Sequence, residues 1–465
     1  MTDQRSLCDT PDAAVDELVR LYDDAVEWIR GQYQVYVEGQ EPAALLEKGV
    51  YPRLTVEIPA HRSTRTSSLS LGQVASTNEH TTTVTRPALF RNYLTRQLAL
   101  VQEEFGARIF VGPSDEPIPL QFALDPHHTP GGLSEATREG IERYFPTPNL
   151  VEVNDQIIDG GRILRRDGPL PLSWFPGSRI DYSLYRLEHY TATHPSHFQR
   201  FVLFTNYQRY VDEFIAHGHA EVAAGRARAL IEPAGSPQMP AYHLVRDDHM
   251  GDTLVNIGVG PSNAKTITDH IAVLRPFSWL MIGHCGGLRR TQQLGDYVLA
   301  HAYLRDDRVL DDVLPPDVPL PTLAEIQIAL TAAVAEETES SAQELKSFLR
   351  TGTVVTTNDR NWELSFDRIA ERLNRSRAIA IDMESATISA NGYRYRVPYG
   401  TLLCVSDRPL HGELKLPGMA NEFYQRRVSQ HLAIALRANE ILRAEAVKGA
   451  LRSRKLRSFD DPLFH

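Results

Sequence analysis

The chain of 465 residues is too long for one ordinary core, and its length favours two or three domains. With 42% hydrophobic and 23% charged residues it reads as globular, and the formal charge of −10 argues against nucleic acid or an acidic membrane as a partner. No window of about 18 uninterrupted apolar residues exists to cross a bilayer. The acidic start MTDQRSLCDTPDAAVDELV lacks the basic-then-apolar pattern of a secretory leader. Three cysteines, Cys8, Cys285 and Cys404, are too far apart for a metal motif and suit a reducing, cytoplasmic compartment. A phosphate-bearing substrate would need its own local group of Arg or Lys.

In chain order, Val15, Leu18, Val19, Tyr22, Val26 and Ile29 recur at helical spacing, so 14–36 is expected as an amphipathic helix. Residues 53–58 read as a strand and 63–85 as a polar hairpin or extended loop. A helix over 88–105 is followed by strands at 108–112 and 118–124. The Gly-, Pro- and charge-rich stretch 125–170 makes poor core. Residues 1–180 therefore read as an α+β domain.

From about 185 short apolar runs appear at 200–205, 253–258, 278–283, 377–382 and 400–406. Helical stretches lie at 207–216, 263–274, 322–335, 385–392 and 419–446. Strands alternating with helices predict an α/β domain over 181–450 built on a largely parallel, buried sheet. Ligands of such sheets sit beyond the carboxyl ends of the strands. The rule gathers 205–209, 258–263, 283–287, 382–385 and 406–408 around one crevice. Residues 451–465 form a basic, then acidic and apolar tail: a solvated end or a packing arm between subunits.

Four of these segments carry chemistry-bearing residues. NIGVGPSNAK (256–265) is a glycine-rich turn into a helix, where backbone approaches a ligand closely and the helix start favours an anion; it fits neither dinucleotide nor Walker patterns. MIGHCGGLRR (281–290) runs from a strand through glycines to two arginines, and nothing in its spacing marks Cys285 as a nucleophile. AIDMESATISA (380–390) ends a strand in two carboxylates, which a helix N-terminus alone would also favour. LLCVSDRPLHGELK (402–415) ends a strand in Asp407, placed as a proton donor, or else as a helix cap or a salt-bridge partner of Arg408.

In order and spacing, GVGPS (258–262), GHCGG (283–287), DMESA (382–386) and VSD (405–407) resemble the nucleoside phosphorylase and nucleosidase superfamily. FVLFTNYQRYVDEFI (201–215) lies where that superfamily has its first strand and phosphate loop. The resemblance covers roughly 185–446 and implies a mixed central sheet flanked by helices. The long N-terminal domain, FTNYQRYVDEF, GHCGGLR and SDRPLHGELK are similar to the AMP nucleosidases in particular. That resemblance implies hydrolysis of AMP to adenine and ribose 5-phosphate, with no cofactor or metal required. It also implies MgATP as an allosteric activator of the enzyme, phosphate as an inhibitor, and a homo-oligomer, with a hexamer favoured.

By the same resemblance Asp407 protonates the purine, which requires a raised pKa, and Glu384 holds the ribose hydroxyls and favours a cationic sugar. Met383 walls the sugar, and Gly258 and Gly283 give backbone access. Trp362, in TTNDRNWEL (356–364), is placed either to stack on the base or to pack in the core. Arg209 matches a phosphate-binding arginine, although its loop departs from GDPxR. Arg209, Arg289, Lys415 and His189 are the candidates for the 5′-phosphate. Met281 and His284 stand where phosphorylases carry an arginine and a serine that grip phosphate, so water is favoured as nucleophile. In the N-terminal domain Arg53, Arg62, Arg65, Arg86 and Arg91 form either a solvated face or an effector site. A phosphorylase using inorganic phosphate and a non-catalytic nucleotide sensor remain the alternatives.

Overall fold

A computed structural model describes residues 5–43, 48–59, 79–124, 135–159, 169–411, 421–449, 451 and 461–464. It divides into two compact units, 1–185 with 457–465, and 186–456.

The first unit is built on strands β1 (Ser6–Cys8), β2 (Val50–Glu57), β3 (Glu79–Thr83), β4 (Arg108–Pro117) and β5 (Leu170–Pro171), in the order β1-β4-β2-β3-β5. Helix Pro11–Val37 starts at Thr10, whose side chain accepts from Ala13 N, with Pro11 pre-set for the first turn. Its buried face, Ala14, Val15, Leu18, Tyr22, Ala25, Val26, Ile29 and Tyr33, follows the periodicity visible in the sequence. Helix Arg91–Phe105 buries Leu94, Leu98, Val101 and Phe105. The strand expected over 118–124 is instead a short helix, Leu120–Ala123. Pro119 has no N–H for a ladder, and burial of Ile118, Leu120, Phe122 and Ala123 fits one helical turn as well as an alternating strand. The poor-core stretch holds a helix, Glu135–Tyr144.

The second unit carries β6 (Phe201–Thr205), β7 (Ala229–Ile231), β8 (Ala241–Val245), β9 (Asp252–Asn256), β10 (Ser278–Gly287), β11 (Tyr297–Asp306), β12 (Leu349–Thr357), β13 (Ala380–Asp382) and β14 (Tyr399–Asp407). They form one mixed sheet in the order β13-β12-β11-β14-β10-β6-β9-β8-β7. β10 pairs in parallel with β14 and β6, and β6 with β9, while β11–β14 and β8–β9 are antiparallel. Strands β7, β8, β11 and β12 are additional to the five expected, and β10 does not end at residue 283 but continues to Gly287.

That extension closes the sheet. Gly286 and Gly287 of β10 pair antiparallel with Ile381 and Ala380 of β13, so β10, β14, β11, β12 and β13 form a ring. A register shift between Cys285 and Gly286 turns the strand, as a bulge does. Both glycines sit in tight quarters: a Cβ on Gly287 would stand 2.9 Å from Val405 Cγ1, so something would have to shift, and one on Gly286 would crowd Ile381 Cγ2 at 3.1 Å.

Candidate active site

The carboxyl ends of β6, β9, β10, β13 and β14 supply the site. After β9 the chain turns through Gly258 and Gly260 at φ +66° and +118°, backbone that L side chains rarely adopt. Helix Pro261–Ile271 follows, and Asn391 Nδ2 ties it to helix Ser385–Tyr395 by donating to Thr268 Oγ1 and Asp269 Oδ1, each at 2.8 Å. The packing brings Gly260 N–H to 2.7 Å from Glu384 Oε1.

The two carboxylates of 380–390 have separate tasks. Asp382 accepts from Thr356 Oγ1 at 2.6 Å, from Ser385 N at 2.9 Å and from Ser385 Oγ, so it fixes the turn from β13 into the helix. Glu384 is 2% exposed. Burial, then the neighbouring Asp382, push its carboxyl well above the ordinary range, against the lowering effect of Gly260 N–H and the Asn206 amide. Burial raises Asp382 too.

Beside them lies a cleft lined by Gly286, Arg360, Trp362, Ile381, Met383 and Asp407, with Thr357, Glu363, Asp382 and Pro409. Asp407 is half-buried and accepts from Ser406 Oγ at 2.6 Å. Trp362 is buried against Leu288, Val355, Leu373, Ala378 and Ile381, so it serves the core and lines the cleft together. Among the described residues no group of three or more His, Cys, Asp or Glu is arranged to hold a metal. All three cysteines are buried and none is in a disulfide, and no described helix is long and apolar enough to cross a membrane.

The structure thus brings Asp407, Met383 and Trp362 to one cleft, with Glu384 held by the Gly258–Gly260 turn beside Asp382. Gly283 lies in β10, where a Cβ would meet Met281 Cε at 3.2 Å and Asn206 Oδ1 at 3.3 Å. His284 packs 4.4 Å from the Tyr207 ring and 5.8 Å from that of Tyr210. The phosphate candidates are scattered. Arg209 is exposed in the first turn of helix Gln208–Ala223, and Arg289 is half-buried with its backbone N–H on Gln292 Oε1. His189 is exposed, edge-on to Tyr190 at 5.4 Å and outside the cleft lining, and Lys415 lies outside the described residues.

In the first unit Arg53 pairs with Asp115, Arg86 with Asp181 and Arg91 with Asp16, while Arg62 and Arg65 lie outside the described residues. Two contributors escaped the sequence reading. Arg360, exposed at the cleft, sits in a loop with no glycine signature, and Asn206 follows a strand whose motif departs from the family pattern.

Residues 13–169 match the family model described as the N-terminus of bacterial AMP nucleoside phosphorylase, and residues 250–439 match the phosphorylase superfamily. The AMP nucleosidase of Escherichia coli K12 is 50% identical over 481 aligned residues, covering 98% of both chains. The AMP nucleosidase of Escherichia coli O157:H7 matches to the same extent. Among solved structures, an AMP nucleosidase from Bacteroides thetaiotaomicron is 27% identical, with a TM-score of 0.46, over 58% of this chain and 99% of that one. Identity at this level over nearly the full length of both chains places the protein in the AMP nucleosidase family.

Proposed function

We propose that the protein hydrolyses the N-glycosidic bond of AMP, giving adenine and ribose 5-phosphate. The observation that carries this reading is the convergence of Asp407, Met383 and Trp362 on one cleft beside a buried Glu384. Cleavage builds positive charge on the ribose and negative charge on the departing base. Asp407, at the open end of β14, delivers a proton or hydrogen bond to the purine. Glu384 receives the ribose hydroxyls, and its charge favours the oxocarbenium-like sugar. Met383 supplies an apolar wall and Trp362 a flat face for the base.

Water rather than phosphate is the nucleophile in this reading. Met281 is fully buried with its terminal methyl over Gly283, and His284 packs on Tyr207, so the phosphate-gripping positions hold a thioether and a ring-packed imidazole. Arg209, Arg289, Lys415 and His189 remain the proposed contacts for the 5′-phosphate, and Arg360 joins them as a cation at the cleft. We extend the proposal to a cytoplasmic homo-oligomer, hexameric by family likeness, activated by MgATP and inhibited by phosphate through the first unit. No metal or cofactor enters the bond cleavage itself.

The test is product analysis with purified protein and AMP, with and without inorganic phosphate. Adenine and ribose 5-phosphate in phosphate-free buffer support hydrolysis. Adenine formed only with phosphate, together with ribose 1,5-bisphosphate, would establish phosphorolysis instead. Intact AMP under both conditions, with MgATP also tried, would reject the substrate. Sedimentation and an ATP titration of the rate test the assembly and the effector.

A further inference from the structure

Two polar atoms at the end of β6 are left unused by the groups assigned to bond cleavage. Thr205 Oγ1 and Asn206 Oδ1 are buried and lack a hydrogen-bond partner among the described residues. A buried acceptor left unpaired costs about 1–3 kcal/mol, and what sets Asn206 Oδ1 apart from the other unpaired buried atoms is its place beside Gly283 and the Glu384 carboxylate.

The surroundings of Asn206 belong to the site on both sides. Toward β10, its Oδ1 is the atom that a Cβ on Gly283 would meet at 3.3 Å. Toward β9, Thr205 O accepts from Ile257 N at 2.8 Å, at the start of the turn whose Gly260 N–H holds Glu384. The Asn206 amide hydrogen-bonds the same Glu384 carboxylate and favours its ionised form. The charged group facing Glu384 is Asp382; the backbones of Gly260 and Met383 complete its partners, and β10 brings His284, packed on Tyr207.

We propose that Asn206 is a positioning residue for glycosidic cleavage: its amide N–H fixes the Glu384 carboxylate toward the sugar, and its Oδ1 accepts one O–H, from the attacking water or from a ribose hydroxyl. The inference rests on the AMP-cleaving reading of the site. In the step it serves, the water oxygen bonds to C1′ as the C1′–N9 bond breaks, and that electron pair leaves with adenine. Adenine takes a proton from Asp407, and the proton shed by water replaces it through solvent. A neutral amide neither gives nor takes a proton there, so Asn206 acts through orientation and through the charge state of Glu384.

The experiment compares full-length wild type, Asn206→Ala and the isosteric Asn206→Asp. AMP hydrolysis is followed from pH 4.5 to 9, with 2′-deoxy-AMP and 3′-deoxy-AMP at the optimum, and thermal melts verify folding. Ionised Glu384 sets the acid limb of kcat/KM, which reports the free enzyme. Loss of the donor moves that limb to higher pH in Asn206→Ala by about half a unit or more, and a second carboxylate moves it further in Asn206→Asp. The rate falls in kcat more than it rises in KM. An equal loss on all three substrates assigns the O–H to water, and a loss that vanishes with one deoxy substrate assigns it to that hydroxyl. Folded variants that keep the wild-type acid limb overturn the inference. Wild type that leaves AMP intact overturns the functional reading instead, so the two failures are distinct.

Discussion

Replacing Glu384 by Gln should abolish most activity and at the same time stabilise the protein at neutral pH. Glu384 is buried beside Asp382, and both effects raise its folded-state pKa above the unfolded value of about 4.3. For a carboxyl displaced upward, the protonated form suits the folded state, so its contribution to stability is complete below about pH 4 and is lost as pH rises toward the folded pKa. Each pH unit in that window costs wild type about 1.4 kcal/mol, which over the roughly 2.7 units up to pH 7 amounts to about 3–4 kcal/mol. Gln escapes that loss. Its Oε1 still accepts from Gly260 N–H, and Asn206 can rotate its amide to present Oδ1 to the new NH₂. At roughly 2–3 °C per kcal/mol for a unit of this size, melting should rise by about 9 °C at pH 7, with the gap closing as pH falls to 4.5. In the same preparations kcat on AMP should fall by roughly 10²–10³-fold. A Glu384→Gln protein that melts at or below wild type at pH 7, or a gap that persists unchanged at pH 4.5, would refute the burial argument.

Asp407→Asn should lower kcat on AMP by about 10²–10⁴-fold with little change in melting temperature, because Asp407 is half-buried and accepts a hydrogen bond from the adjacent Ser406; steady-state kinetics and a thermal melt decide it. Arg360→Ala, at an exposed position of the cleft, should raise KM for AMP by about tenfold and leave stability within about 0.5 kcal/mol; an unchanged KM removes Arg360 from the binding group. Trp362→Ala should cost about 3–5 kcal/mol in urea denaturation, as expected for a large side chain taken from a core, whereas Trp362→Phe should keep most of that stability and chiefly raise KM.

The site was legible where chemistry forces particular residue types. Gly258 and Gly260 sit at positive φ, and a Cβ on Gly286 or Gly287 would crowd Ile381 or Val405, so their spacing carried information that survives in one sequence. The strand ends at Asp382 and Asp407 were legible from the apolar runs before them, but Glu384 and Asp407 stood out as site residues only through the likeness of DMESA and VSD to the superfamily motifs. Asn206 and Arg360 did not, since an amide after a strand and an arginine in a polar loop are common everywhere; only burial and the cleft distinguish them. The helix Pro11–Val37 announced itself by periodicity, while Ile118–Leu124 did not, because its apolar positions satisfy a strand and a helical turn alike. β11 and β12 escaped for different reasons. In β11, Ala300 and Ala302 flank a register shift that breaks simple alternation. In β12, Thr353–Thr357 is β-branched throughout but polar at three of its five positions, so it does not read as an apolar run.

The pairing of β13 with the end of β10 also governs how the molecule can come apart. An open sheet frays from its margins inward, one strand at a time, but a ring has no margin from which fraying can begin. Of the strands that carry the site, β10, β13 and β14 all belong to the ring, so exposing their amides requires breaking two ladders together rather than one. At the far end of the same sheet, β7 has three residues and a single partner, β8, and opens at little cost. Stability is therefore graded along one continuous sheet, from a margin that breathes to a locked end that keeps Glu384 and Asp407 in register through every local opening short of global unfolding.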